Sequence, residues 1–168
     1  MIALVGLPMF TLIHVVLSIA GIVAGLVVVG GLMAGTRFDR WNVTFLVTTV
    51  LTNVSGFLFP FNRLLPSHIL GGISLVILPV AIAALYWKHL AGPWRRIFVV
   101  ATVTALYFNV FVLLVQLFQK FPLLVVVAPT QQSPAFGATQ LLVLVLFVIL
   151  GRAAVRGYAV GGASAARA

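Results

Sequence analysis

Hydrophobic residues along this chain fall into five long runs, separated by polar or helix-breaking residues. Each run is close to or above the roughly 20 residues that a helix needs to cross the hydrocarbon core of a membrane. The runs are continuous and lack the alternation of a barrel strand, so helices are favoured. We therefore predict an all-α polytopic membrane protein, a bundle of five transmembrane helices at about residues 4–33, 41–59, 68–87, 97–118 and 136–155.

The joints between these runs contain the residue types that end helices, since proline or glycine occurs in each of them. Within the last joint, residues 123–128 are apolar but too few to cross the membrane. That segment is expected either in the membrane interface or folded back against the bundle. The sequence predicts a single transmembrane domain over residues 1–156 and a short flexible cytoplasmic tail over residues 157–168.

The basic residues indicate the orientation of the helices, because cytoplasmic joints carry an excess of lysine and arginine. With five spans, one side of the membrane has only Arg63 and Lys120. The other side has Arg37, Arg40, Lys88, Arg95, Arg96, Arg152, Arg156 and Arg167. We therefore predict an outside N-terminus, an inside C-terminus and a location in the bacterial inner membrane. Trp41, Trp87 and Trp94 agree, since all three fall at predicted cytoplasmic ends, where indole rings favour the headgroup region.

The composition agrees with a membrane protein and removes several classes of function. Hydrophobic residues make up 63% of the chain and charged residues 7%, whereas about a quarter of the residues in a soluble domain are charged. The net charge of +9 arises because Asp39 is the single acidic residue, and no basic face of the kind that binds nucleic acid is present. The chain has no cysteine and no pair of carboxylates for acid–base catalysis. We therefore expect no nucleic-acid partner and do not expect an enzyme.

Six polar side chains fall within the predicted spans on the outer side of the membrane. Amides and imidazoles that face lipid are costly, so these side chains are expected to face one another inside the bundle. His68 is the shallowest of them, and Asn109 lies nearest to the midplane. The sequence predicts a polar pocket in the outer half, formed by His14, Asn53, His68, Asn109, Gln116 and Gln140.

Small residues are candidates for helix packing, and two charged residues on the outer side are candidates for ligand binding. Gly21 and Gly25 form a GxxxG motif, and Gly71 and Gly72 lie near the start of the third run. Because small residues let helix backbones approach closely in lipid, we assign these glycines to helix packing. Arg63 and Lys120 are candidates for binding an anion or a lipid headgroup, although a lysine or arginine at this depth ordinarily extends its charge to the membrane surface.

Three functional hypotheses follow from these residues. The first is a non-enzymatic binding or accessory protein whose pocket holds a small molecule, a lipid or water. The second is a redox membrane protein that binds haem or quinone through His14 and His68, although their unequal depths argue against a shared haem iron. The third is a small channel or transporter, which would need polar side chains to continue inward past Asn109. We expect no metal and no cofactor; the expected partners are the lipid bilayer and either a second copy or another membrane protein.

Several segments also carry a family likeness. They are TTVLT at 48–52, GFLFPF at 56–61, PSH at 66–68, HLAGPWR at 89–95, Asn109 with Gln116, and APTQ at 128–131. Together they resemble a family of small polytopic bacterial inner-membrane proteins of unknown function, over roughly residues 14–155. The resemblance implies a multi-pass fold and no particular activity. Members often carry histidine where this chain has Asn62, a departure that weakens the case for a metal-binding histidine cluster at that turn.

Overall fold

The computed structural model describes residues 2–59 and 66–165, and side chains within residues 8–59 and 67–159. All regular secondary structure in these ranges is helical, without a strand. A π-helical turn at Ala83–Trp87 extends the third helix. The helices are α1 (Ile2–Met33), α2 (Asp39–Phe57), α3 (Pro66–Ile82), α4 (Trp94–Lys120), α5 (Pro122–Val127) and α6 (Pro134–Ala165).

Four of these helices contain segments that are long and apolar enough to cross a membrane, which makes the chain a multi-pass membrane protein. The segments have mean hydropathies between 2.2 and 2.7 and are Pro8–Met33, Ser67–Trp87, Trp94–Lys120 and Pro134–Ala159. The 19-residue helix α2 is not among them. It begins with Asp39 and Arg40 and contains four threonines and two asparagines, which lower its mean hydropathy. The structure thus supports four of the five predicted spans by length and composition.

Two segments differ from or add to the sequence prediction. α6 continues to Ala165, so most of the predicted tail at residues 157–168 is helical, and residues 166–168 lie outside the described ranges. Alanine and arginine favour the helix and no proline interrupts it, so the scattered glycines do not end it. The short apolar segment after α4 forms α5, whose Leu123 and Val126 are 75% and 82% exposed.

The long helices pack side by side with alternating direction, as short joints require. In the α1–α2 pair, His14 lies beside Ser55, whereas Gly25 lies beside Phe45, so the two helices are antiparallel. α3 packs against α2 and α4, and α4 also contacts α1. α6 packs on the outside of the α1–α4 pair. Four helices therefore enclose the interior, and α6 covers one side.

The two ends of this bundle differ in charge. We call one the basic end; there α1 and α6 finish, α2 and α4 begin, and the described basic residues are Arg37, Arg40, Lys88, Arg95, Arg96, Arg152 and Arg156. At this end Arg37 donates hydrogen bonds to the Asp39 carboxylate, which raises the pKa of the guanidinium. We call the other the Lys120 end, because α4 finishes there at Lys120.

Glycines set the close approaches between helices. A methyl group added to Gly25 would lie 2.6 Å from Leu106 Cδ1 and 2.9 Å from the Phe45 ring, so α1 meets α2 and α4 closely there. Gly21 faces Thr48 on α2. On α3, Gly71 faces Phe57 and Asn53, whereas a methyl group on Gly72 would meet only the edge of Phe57 at 4.0 Å.

The apolar core fills the half of the bundle nearer the basic end. Phe45, Leu78 and Phe98 have no exposed surface, and residues of α1 and α6 complete the cluster. Because the core is complete at this level, an interior space can form only nearer the Lys120 end.

Candidate functional site

A cavity of about 440 Å³ lies between α1, α2, α3 and α4 at the Lys120 end. Five of the six side chains predicted for the pocket line it, and Lys120 lies among the lining residues as well. The remaining walls are largely apolar. The lining residues with a polar side chain are Thr11, His14, Ser18, Thr52, Asn53, Ser67, His68, Asn109, Gln116 and Lys120.

His14 is fixed to α2 by a hydrogen bond of 2.8 Å between its Nδ1 and Ser55 Oγ. The Ser55 hydroxyl also lies 3.1 Å from the Thr52 carbonyl oxygen, which can only accept a hydrogen bond. Since a serine hydroxyl has one proton, this network assigns that proton to the Thr52 carbonyl and the His14 proton to Nδ1. His14 Nε2 then carries an unshared electron pair, so this nitrogen of the lining residue can accept a hydrogen bond or bind a metal ion.

The base of the cavity is a polar layer that joins three helices. Asn53 Nδ2 on α2 donates to Ser74 Oγ on α3 at 3.1 Å and to the Thr49 carbonyl in its own helix at 2.9 Å. Asn109 Nδ2 on α4 donates to Thr49 Oγ1 at 3.2 Å. Thr49 and Ser74 are completely buried, so these hydrogen bonds replace water for groups that lipid could not satisfy.

His68 lines the same cavity from the first turns of α3. It is 9% exposed, and its ring centroid lies 5.7 Å from that of Phe57. The imidazole of His14 meets the Phe59 ring edge-on, with centroids 5.1 Å apart. The two histidines, which the sequence places at different depths, therefore border one space.

α4 contributes the longest polar stripe of the wall. Asn109, Gln116 and Lys120 are spaced by seven and then four residues, which places them on one face of the helix. Gln116 is half-buried, and within the described ranges no hydrogen bond from its amide occurs. Lys120, in the last turn of α4, is exposed at the mouth.

Two predicted site residues lie elsewhere. Gln140 on α6 is buried outside the cavity wall, where its Nε2 donates to the Phe111 carbonyl on α4 at 3.3 Å. Its Oε1 has no hydrogen-bond partner in the described part of the chain. Arg63 falls outside the described residues, so its proposed pairing with Lys120 stays a prediction.

The sequence prediction missed the small hydroxyl residues that hold the amides and imidazole in place. Ser55, Thr49 and Ser74 act in this way, and each lies within a helix that carries a predicted site residue. Helical spacing was an available signal for Thr49, which precedes Asn53 by four residues on α2. Among the residues that the structure describes, no three histidine, aspartate or glutamate side chains lie close enough to hold a metal ion.

Comparisons with known proteins identify no relative of this chain. No family model matches the chain, and neither a curated protein nor a solved structure is similar to it. The resemblance to a bacterial inner-membrane family therefore stays a prediction. The geometry of the cavity is the basis for a functional assignment.

Proposed function

We propose that this protein is a non-enzymatic binding or accessory protein whose cavity at the Lys120 end holds a small amphipathic molecule. The observation that carries this proposal is that polar side chains of four helices meet at one otherwise apolar cavity. Its volume of about 440 Å³ lies within the roughly 300–1,000 Å³ typical of small-molecule sites. A ligand with both apolar and hydrogen-bonding parts matches these walls.

Unpaired polar groups in the wall support a bound molecule. Thr52 Oγ1 is buried and has no hydrogen-bond partner in the described part of the chain. The Gln116 amide likewise forms no hydrogen bond to the described residues. A buried polar group without a partner costs about 1–3 kcal/mol, so a ligand or water that pairs with Thr52 Oγ1 would stabilise the bundle, and the half-buried Gln116 amide offers a further hydrogen-bonding group.

The proposed membrane arrangement makes α2 the fifth span. Its 19 residues extend about 28 Å at about 1.5 Å per residue, close to the thickness of a hydrocarbon core. It packs antiparallel to α1 and also contacts α3, and its Asn53 and Thr49 side chains face the interior, where they bond Ser74 on α3 and Asn109 on α4. With five spans, the charge difference between the two ends favours a cytoplasmic basic end in the bacterial inner membrane, and the cavity then opens toward the outer face.

Filling the cavity tests the proposal. The substitution Val112→Phe on α4 adds volume inside the lining, whereas Val100→Phe makes the same change at a position on α4 that is 55% exposed. We expect wild type and Val100→Phe to retain one or more copurifying small molecules. Val112→Phe should lose them, because the new ring occupies their space. Solvent extraction of the purified proteins followed by mass spectrometry measures this difference. The same set of bound molecules in all three proteins would contradict the proposal.

A redox protein that binds haem or quinone is the second candidate. The observation in its favour is that His14 and His68 border one cavity and that His14 Nε2 has a free electron pair. A histidine that donates its Nδ1 proton to a neighbour is the usual form of an iron or metal ligand. A quinone carbonyl, in contrast, needs a hydrogen-bond donor, which His14 Nε2 in this tautomer does not offer.

Visible absorption spectra separate this candidate from the first. In the redox case, protein purified from haem-sufficient cells shows a Soret band that shifts on reduction with dithionite. The band is then lost in His14→Ala and in His68→Ala but retained in His89→Ala, because His89 lies near the basic end, beyond the π-helical turn. A colourless wild-type protein would exclude haem and leave the binding protein.

The third hypothesis, a channel or transporter, needs a polar path from the cavity to the basic end. Phe45, Phe98 and Leu106 are fully buried along that direction. Thr102 is also buried there, but its hydroxyl has no hydrogen-bond partner in the described residues. This packing weighs against a permanent path, and an absence of flux in reconstituted vesicles would weigh further against it.

A further inference from the structure

Lys120 is the one lysine or arginine among the described residues that line the cavity. No side-chain carboxylate can neutralise it, because Asp39 is the only acidic residue of the chain. Asp39 lies at the opposite end of the bundle and is paired with Arg37. The mouth of the cavity therefore carries a positive charge that the side chains of this protein leave uncompensated.

The polar stripe below Lys120 places hydrogen-bond donors beside this charge. Gln116 lies one turn away on the same face of α4, and its amide is free of hydrogen bonds within the described ranges. Between Gln116 and the polar layer at the base, apolar lining residues flank the stripe, with Val112 and Leu113 on α4 and Ile22 on α1. From Lys120 to Asn109 the stripe spans about 16 Å at about 1.5 Å per residue.

From this order of groups we propose that the cavity binds a single-chain amphiphile with an anionic head, either a carboxylate or a phosphate monoester. This inference rests on the proposed function and specifies its ligand. The head accepts hydrogen bonds from the Lys120 ammonium and the Gln116 amide, and the chain lies against Val112, Leu113 and Ile22. Charge-assisted hydrogen bonds of this kind are stronger than neutral ones.

A competing explanation gives Lys120 no ligand. A lysine in the last turn of a helix interacts favourably with the carbonyl groups at that end, and its long stem can carry the charge into the headgroup region. In that case, the charge of a bound molecule would not matter. The two explanations therefore differ in whether the affinity for an amphiphile depends on its head and on residue 120.

Equilibrium binding of radiolabelled amphiphiles to the full chain in phosphatidylcholine nanodiscs tests this difference. The probes are dodecanoate and dodecyl phosphate, with dodecanol as the neutral analogue, and empty nanodiscs correct for partitioning into lipid. We expect both anions to bind the wild type about tenfold more tightly than dodecanol, or about 1.4 kcal/mol, since a hydrogen bond to a charged group is stronger than one between neutral groups. Lys120→Gln should lose this preference and Lys120→Arg should keep it. Lys88→Gln, at the basic end, should bind like the wild type.

The remaining outcomes overturn the proposal at separate points. Equal affinity for dodecanol and the anions, or an unchanged preference in Lys120→Gln, would contradict the anionic head while leaving the cavity as a binding site. If inorganic phosphate displaces dodecyl phosphate at equal concentration, the alkyl chain contributes nothing to binding, which would contradict its proposed role. If phosphatidylglycerol added to the nanodisc displaces dodecanoate, the ligand is a bilayer lipid and not a single-chain amphiphile. If no probe binds and Val112→Phe retains the same copurifying molecules as the wild type, the proposed function itself is wrong.

Discussion

The same four helices enclose a filled core near the basic end and a cavity near the Lys120 end. In the first half, Leu32, Phe45 and Leu106 have no exposed surface. In the second half, the side chains of α1 and α4 border about 440 Å³ of space. The boundary is the polar layer in which Asn109 bonds Thr49. The difference indicates that packing in one half stabilises the bundle, so that the other half can remain open.

The distribution of small residues explains how the filled half packs. Gly25 brings α1 against Phe45 and Leu106, and Gly157 brings α6 against the backbone at the end of α1. In lipid, where apolar surface gains little from leaving the solvent, such close approaches are a principal source of stability. The predictions below compare the two halves by substitutions of matched size.

Gly157→Ala should have the largest effect on stability. A methyl group at Gly157 would overlap the Met33 carbonyl oxygen and lie 2.7 Å from the carbonyl carbon, and backbone atoms cannot rotate aside. We expect a loss of about 3 kcal/mol in the free energy of unfolding, at the upper end for an overpacked site. Gly30→Ala is the control, because nothing lies within 4 Å of its added methyl group, and it should be neutral or slightly stabilising. Unfolding in mixed micelles measures both; equal effects would show that α6 does not approach α1 this closely.

Leu106→Ala and Leu113→Ala compare the two halves on a single helix. Leu106 is fully buried in the core, whereas Leu113 borders the cavity one heptad later on α4. We expect Leu106→Ala to cost roughly 2 kcal/mol, near the lower limit for such changes because lipid reduces the transfer contribution. Leu113→Ala should cost less than about 1 kcal/mol, since its side chain is only partly buried and already borders the cavity. The same unfolding measurement checks the ranking, and a larger cost at Leu113 would contradict the division into a filled and an open half.

The boundary layer should contribute a smaller coupling. In a double-mutant cycle with Thr49→Ala and Asn109→Ala, we expect a coupling free energy of about 0.6 kcal/mol, the average for interhelical hydrogen bonds measured in a membrane protein. Thr48→Ala with Asn109→Ala is the matched control. Thr48 Oγ1 donates to the Thr44 carbonyl within α2, so this pair should show no coupling. Coupling of equal size in both cycles would mean that the coupling arises from a displacement of the helices and not from the Thr49–Asn109 hydrogen bond.

Charge substitutions at the two ends should have the smallest effect on stability. Asp39→Asn removes the Arg37–Asp39 pair, whose side chains are 36% and 70% exposed, and Lys120→Gln removes an exposed charge at the other end. Each should change the free energy of unfolding by less than about 1 kcal/mol, because water screens exposed charges. Lys120→Gln should nevertheless change ligand binding. A large loss of stability in Lys120→Gln would indicate that Lys120 has a structural role.

Most of the helical architecture followed from the sequence. Continuous apolar runs of sufficient length must form helices in lipid, because every backbone N–H and C=O needs a partner within its own segment. The same reasoning identified the polar residues that would gather inside, and His14, Asn53, His68, Asn109 and Gln116 do line one cavity. Gln140 shows the limit of that reasoning. Its depth resembles that of the others, but α6 lies outside the ring of helices and directs its amide to the Phe111 carbonyl.

The sequence by itself determined the class of protein, four helices that are long and apolar enough to cross a membrane, and which polar side chains would be costly in lipid. Only the tertiary structure decided which glycines pack helices closely, since Gly157 gives no local signal and Gly72 meets almost nothing. It also decided that an open space remains above the Asn109–Thr49 layer and that Ser55 orients His14. The physical reason is that membrane insertion depends on hydropathy summed along each segment. A cavity, in contrast, depends on how side chains from different helices fit together.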